Sequence, residues 1–174
     1  CGIVTETIFI DSFSIAADFS RTPTAVCLDN NLFQFENTTP VSDANVTSIQ
    51  WDFGDNQSGF SSPVVHHYQT SGIFDIKMIA TFDNGCYDTA TAQVEVYAPP
   101  SSNITASSPL TICAGQSILL TALTSAGSGV MTNTQWINNN ASISGQNGST
   151  LTVDSTGIYQ LALENSNGCK DTSM

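Results

Sequence analysis

A short phrase that opens on cysteine occurs three times in the chain, as Cys1-Gly-Ile-Val-Thr, Cys86-Tyr-Asp-Thr-Ala and Cys169-Lys-Asp-Thr-Ser, at separations of 85 and 83 residues. Other landmarks keep the same period. Cys27 and Cys113 are 86 apart, while Trp51 and Trp136, Gly72 and Gly157, and Phe74 and Tyr159 are each 85 apart. Self-similarity at a fixed period marks a chain built of stacked modules. The phrase nearly brackets the sequence, so residues 1–15 are expected to be the last strand of a preceding, truncated repeat. A first full module then runs over 16–98 and a second over 99–174, its last strand cut short.

Within each module, short runs of alternating apolar residues are separated by turn signals, and no stretch keeps a helical period. The clearest runs are Leu32 to Phe35, Ile49 to Phe53, Phe74 to Ile79 and Ala92 to Val96, matched by Ile118 to Leu123, Thr134 to Ile137, Leu151 to Val153 and Ile158 to Leu163. The expected fold is all-β: two tandem immunoglobulin-like sandwiches. A central-strand tryptophan (Trp51, Trp136) packs between the sheets of each, and a Gly-x-Tyr corner (Gly157, Tyr159) fixes a later turn. Phe74 replaces the corner tyrosine after Gly72 in the first module, so no hydroxyl bond is expected there. Asn84-Gly85 and Asn167-Gly168 each read as a tight type I′ hairpin before the last strand. The prolines of Ala98-Pro99-Pro100 favour an extended, semi-stiff connector, which together with the sandwiches implies a rod.

Fifteen acidic residues against three basic ones give a formal charge of -12. That charge repels a phosphate backbone and an anionic lipid surface alike, which argues against nucleic acid and against direct membrane insertion. Ser and Thr fill about a quarter of the positions, a composition suited to extracellular β-proteins. The longest apolar runs are only strand-sized.

Cysteines at repeat-locked positions suggest one disulfide per module, Cys27 with Cys86 and Cys113 with Cys169, each joining the end of a first strand to the start of the last. Such bonds place the chain outside the cytoplasm, at a cell surface or in the medium. Cys1 then corresponds to the second cysteine of a preceding repeat, with the lipidated first residue of a mature lipoprotein as the rival reading. No cysteine spacing suits zinc.

The stretch Trp51-Asp52-Phe53-Gly54-Asp55-Asn56, followed by His66-His67-Tyr68 and Gly72-Ile73-Phe74, resembles the signature of the PKD domain over roughly residues 16–97. It departs from that signature at Asn56 and Phe74. The second module, with Ile112-Cys113-Ala114-Gly115, Gln135-Trp136 and Asn167-Gly168-Cys169, is similar to the Ig-like repeats of secreted Bacteroidota proteins. Alternation of the two resembles the stalks of large SprB-type adhesins, which serve gliding motility and leave the cell by type IX secretion. The resemblance implies a non-catalytic stalk repeat of a cell-surface adhesin. Its partners would be neighbouring repeats, outer-membrane or secretion-system proteins, or surface polysaccharide. The alternatives are an accessory module of a secreted polysaccharide hydrolase or protease, and a structural component of a surface machine.

Asp52 and Asp55 suggest a paired-carboxylate site, but in PKD-like domains they belong to a turn whose side chains bond nearby amides. Hard cations favour carboxylate oxygens, so calcium at Asp52 and Asp55, with Asp29 or Asp83, is the one cofactor worth weighing. No Asp-x-Asp loop accompanies them. His66 and His67 point to opposite faces of a strand and do not share a ligand readily. His66 reads as a packing residue. With no Gly-x-Ser-x-Gly elbow, catalysis is not expected. Trp51, Trp136, Tyr68 and Tyr159 read as core, which leaves Phe60, Tyr87 and Tyr97 as freer surface aromatics. Asp88-Thr89-Ala90 resembles the O-glycosylation motif of exported Bacteroidota proteins, with Thr89 as acceptor. Asn-x-Ser/Thr sequons are no more frequent than the composition provides.

Overall fold

The computed structural model describes residues 16–40 and 44–173. The strand expected within residues 1–15, and Cys1 with it, lie outside the described residues. Among the described residues there are fifteen strands and no helix.

Up to residue 97 the strands are β1 (Phe19–Thr22), β2 (Ala25–Cys27), β3 (Phe33–Asn37), β4 (Val46–Asp52), β5 (Ser58–Gly59), β6 (Val64–His66), β7 (Gly72–Phe82) and β8 (Tyr87–Tyr97). They form one sheet of order β1-β3-β6 and another of order β2-β8-β7-β4-β5. From residue 101 onward the strands are β9 (Ser101–Ala106), β10 (Ile118–Ser125), β11 (Met131–Asn138), β12 (Ala141–Ser142), β13 (Thr150–Val153), β14 (Tyr159–Asn165) and β15 (Lys170–Thr172). Their sheets have the orders β13-β10-β9 and β12-β11-β14-β15. No sheet mixes strands from the two stretches. The fold is all-β, of tandem immunoglobulin-like sandwich type.

By packing, the chain divides into two compact units: Cys1–Arg21 with Phe35–Val64 and Asp75–Ala92, and Thr22–Gln34 with Val65–Phe74 and Gln93–Met174. The boundaries fall within β1, β3, β6, β7 and β8 rather than at the proline connector. In the first unit the alternation of β3 and β4 turns Phe35 and Trp51 inward. Phe19 meets the Trp51 ring edge-on at 5.1 Å, and Phe35 lies 5.7 Å from Trp51 and 5.4 Å from Phe53. Edge and tilted contacts at these distances add to the area these rings bury. In the second unit Tyr68 takes Phe33 edge-on at 5.5 Å and stacks on Phe74 at 3.9 Å. A separate core in the same unit gathers Ile118, Leu120, Ala122, Trp136, Leu151, Val153, Leu161 and Leu163 from both sheets of the later stretch.

The repeat seen in the sequence is repeated in detail. Each tryptophan is fully buried and donates its indole N–H to a carbonyl of the following loop, Trp51 to Ser61 and Trp136 to Gly148, both at 2.9 Å. The register shifts between Val46 and Ser48 and again between Met131 and Asn133. At each shift the hydroxyl of the threonine between, Thr47 or Thr132, donates across to the partner strand.

The hairpins differ from the type I′ expectation. Gly85 and Gly168 have positive φ, but Asn84 and Asn167 do not. The amides of Gly85 and Gly168 return to the carbonyls of Phe82 and Asn165, and those of Phe82 and Asn165 reach the carbonyls of Cys86 and Cys169. This is a type I turn closed by a left-handed glycine, a three-residue loop in which one residue instead of two must take positive φ.

Candidate functional site at the Trp-Asp-Phe-Gly-Asp turn and at Asn165

At the end of β4 the chain turns sharply, and both aspartates bond within the turn. Asp52 accepts the Gly54 amide at 3.0 Å, and Asp55 accepts the Gln57 amide at 3.1 Å and the Gln57 side-chain amide at 3.2 Å. Gly54 has φ +78°, and a Cβ there would lie 2.7 Å from the Asp75 carbonyl oxygen. Only glycine satisfies both demands. The geometry is that of two Asx-turns. Among the described residues no three His, Cys, Asp or Glu side chains gather as a metal would need.

His66 is buried with its ring edge-on to Tyr68 at 4.7 Å, while His67 is exposed. Asn31, which the sequence reading missed, is 3% exposed and holds the Tyr68 backbone from both sides. It accepts the Tyr68 amide at 2.7 Å and donates to the Tyr68 carbonyl at 2.9 Å and the Leu28 carbonyl at 2.7 Å. In the later corner the Tyr159 hydroxyl donates to the Ser155 carbonyl at 3.0 Å.

The cysteine pairings require correction. Cys27 is bonded to Cys169, with Cα atoms 5.5 Å apart, and Cys86 and Cys113 are free, exposed thiols. The bonds expected between Cys27 and Cys86 and between Cys113 and Cys169 do not form. β2 runs parallel to β8 with Cys27 opposite Tyr97, so the end of β2 meets the end of the module's last strand, not its start. Cys86 precedes β8, eleven residues back from Tyr97, roughly 36 Å at strand rise. A disulfide needs Cα atoms within about 7 Å. Cys113 lines a cavity with Ile118, Val153 and Tyr159, at the start of β10. Cys169 lies by residues that follow the far end of that strand.

What holds Cys169 is a network within the second unit that sequence reasoning also missed. Asn165, 2% exposed, donates its side-chain amide to the carbonyls of Ala126 and Ser128 at 2.9 Å and Ala98 at 3.3 Å, and accepts the amides of Asn167 at 3.1 Å and Cys169 at 3.0 Å. Ala98 donates to the Ser128 hydroxyl, and its carbonyl accepts the Ser128 amide. Gly127 lies so close that a Cβ would fall 2.2 Å from the Pro99 carbonyl oxygen. Pro100 is fully buried. The proline connector is therefore clamped, and the Cys27–Cys169 bond closes the same network. Asn165 sits in an otherwise apolar strand pattern, which is the only sequence signal for it.

Two carboxyls outside these sites are held below their ordinary range. For Asp83 the chief cause is the Asn45 side-chain amide, followed by the Asn45 backbone amide; for Asp88 it is the Ala17 amide, then that of Thr89. Thr89 is exposed on β8, and Phe60 and Tyr87 are largely exposed. Among the described residues no helix is long and apolar enough to cross a membrane.

Comparison with known proteins agrees with the first stretch. The pre-pro-metalloprotease PrtV of Vibrio cholerae serotype O1 is 31% identical over 64 residues, which are 37% of this chain and only 7% of that protein. Among solved structures, the PKD1 domain of that metalloprotease is 26% identical, with 48% of this chain and 98% of that one covered and a TM-score of 0.43. The PKD1 domain of Vibrio anguillarum Epp is 22% identical, with 51% and 100% covered and a TM-score of 0.45. Residues 17–96, a little under half of the chain, match the family model of the PKD domain.

Proposed function

We propose that the chain is a non-catalytic spacer: stalk repeats of a large secreted, cell-surface adhesin of the gliding-motility, type IX-exported kind. Its role would be to carry a binding element away from the cell. The observation that carries this reading is the clamp at Asn165 with the Cys27–Cys169 bond, which stiffens the connector where a flexible linker would bend. It is supported by the use of both tryptophans, Tyr68 and His66 in packing, and by the engagement of Asp52 and Asp55 in their own turn. Neighbouring repeats, outer-membrane or secretion proteins and surface polysaccharide are the partners proposed, and Thr89 is the proposed O-glycan acceptor.

A second reading, an accessory module of a secreted protease or polysaccharide hydrolase, is favoured by the match to PrtV, itself a pre-pro-metalloprotease. Spin labels on Cys86 and Cys113, with Cys1→Ser to leave only those two thiols, test the spacer. A narrow distance distribution is expected with the disulfide intact and a broad one in the Cys27→Ser/Cys169→Ser protein. A broad distribution in the intact protein would overturn the reading. Antibody labelling of intact cells separates the two parents, since a surface coat supports the adhesin and signal confined to the medium supports the enzyme module.

A further inference from the structure

The chain holds two kinds of cysteine, distinguished by where they sit in the repeat. Cys27 ends β2 and Cys113 lies in the loop after β9, respectively six and five residues before the next strand begins at Phe33 or Ile118. Cys86 and Cys169 close the last hairpin. The two hairpins have the same hydrogen bonds: Gly85 to Phe82 and Phe82 to Cys86 at 3.0 and 2.9 Å, Gly168 to Asn165 and Asn165 to Cys169 at 2.9 and 3.0 Å. Their glycines have φ values of 84° and 76°. The one disulfide among the described residues joins a cysteine of each kind, and it joins them across modules: Cys27 of the earlier one to hairpin Cys169 of the later one. Their surroundings differ: Cys169 is 1% exposed and held by Asn165, whereas Cys86 is exposed and Phe82 stands at the place of Asn165.

Among the described residues the two cysteines outside that bond, Cys113 and Cys86, are again one of each kind, and both are exposed. Cys113 opens on a cavity of about 480 Å3 whose wall includes Leu110, Ile112 and Tyr159. We propose that Cys113 and Cys86 are the two halves of the same inter-module bond, made between copies: Cys113 of one chain joins Cys86 of a second, head to tail. The existing Cys27–Cys169 bond is the independent observation that these two positions are mutual partners. Bond formation needs a disulfide oxidant such as oxidised glutathione. The Cys113 thiolate attacks one of its sulfurs and expels a glutathione thiolate; the partner's Cys86 thiolate then attacks the Cys113 sulfur and expels the second. Two protein thiols are oxidised, and one glutathione disulfide is reduced to two thiols. The inference is independent of whether the module serves an adhesin or an enzyme.

Single variants Cys86→Ser and Cys113→Ser, each built on Cys1→Ser so that no fifth thiol takes part, test it in a glutathione redox buffer, with alkylation quench, non-reducing electrophoresis and mass mapping. Retention of the Cys27–Cys169 peptide shows that each variant is folded. The wild type is expected to form a ladder of linear oligomers. Each variant alone should stay monomeric, and an equimolar mixture should give a heterodimer linked from Cys113 to Cys86, in excess over either homodimer by about tenfold, a selectivity of about 1.4 kcal/mol. Homodimers forming as readily as the heterodimer would overturn the proposal, as would a mixture that remains monomeric with both thiols capped by glutathione.

Discussion

Cys27 stands opposite Tyr97 in a parallel strand pair, and this places the end of β2 beside the end of β8, where the chain enters the proline connector. Parallel pairing therefore carries Cys27 away from Cys86 in the same module and toward the hairpin that returns at Asn165. The disulfide closes a sequence separation of 142 residues, and the clamp on Ala98 lies inside that loop.

Reduction, or Cys27→Ser with Cys169→Ser, is expected to cost roughly 2–5 kcal/mol in the chain-entropy picture. Cys86→Ser and Cys113→Ser, each losing an exposed free thiol, should stay within about 0.5 kcal/mol of the wild type. Denaturant unfolding followed by near-UV circular dichroism, oxidised against reduced, reads the difference. Equal midpoints for oxidised and reduced protein would show that the bond does not constrain the unfolded chain.

Asn165→Ala leaves the carbonyls of Ala126 and Ser128 and the amide of Cys169 short of a buried partner. Each unsatisfied group costs about 1–3 kcal/mol, so a total loss of about 3–5 kcal/mol is expected. Amide exchange at Cys169 and Asn167 should accelerate in step. A loss under about 1 kcal/mol would mean that water replaces the side chain.

Gly54→Ala and Gly85→Ala separate backbone conformation from crowding. Both glycines have positive φ, but only at Gly54 would the new Cβ meet anything, the Asp75 carbonyl oxygen at 2.7 Å. Gly85→Ala should cost about 1–2 kcal/mol, the left-handed penalty alone. Gly54→Ala should cost at least about 2 kcal/mol more, since the obstacle is backbone within the sheet. Thermal melts of the two variants side by side measure the gap, and equal losses would remove the steric part of the argument.

How much was legible in the sequence depended on period. Trp51 with Trp136 and the alternating strands announced a sandwich because side-chain period and repeat period are both printed in residue order. The PKD turn was legible as well, since Gly54 and the two aspartates are adjacent in sequence and act locally. Cysteine pairing was not, because it depends on strand direction: parallel and antiparallel first strands give the same alternation. Asn31 and Asn165 were invisible for a related reason. Their partners lie 37 and up to 67 residues away, and a single amide in an apolar run does not reveal what it will bond.

The two depressed carboxyls give the chain an acid limit. Asp83 is held low chiefly by the Asn45 side-chain amide and Asp88 chiefly by the Ala17 amide, so each folded pKa lies below its value in the unfolded chain. As pH falls, the unfolded state takes up these protons first. The contribution is then fully present above the unfolded value of about 4 and is lost as pH drops through the folded values. Because both groups reach solvent, the effect is small, and because hydrogen bonds cause it, it should persist in high salt. Melting temperatures recorded from pH 5 to pH 2 for the wild type and for Asp83→Asn/Asp88→Asn provide the comparison. The double variant should start lower at pH 5 and fall less steeply, the two curves converging toward pH 2. Parallel curves across that window would assign the acid limit to other carboxyls.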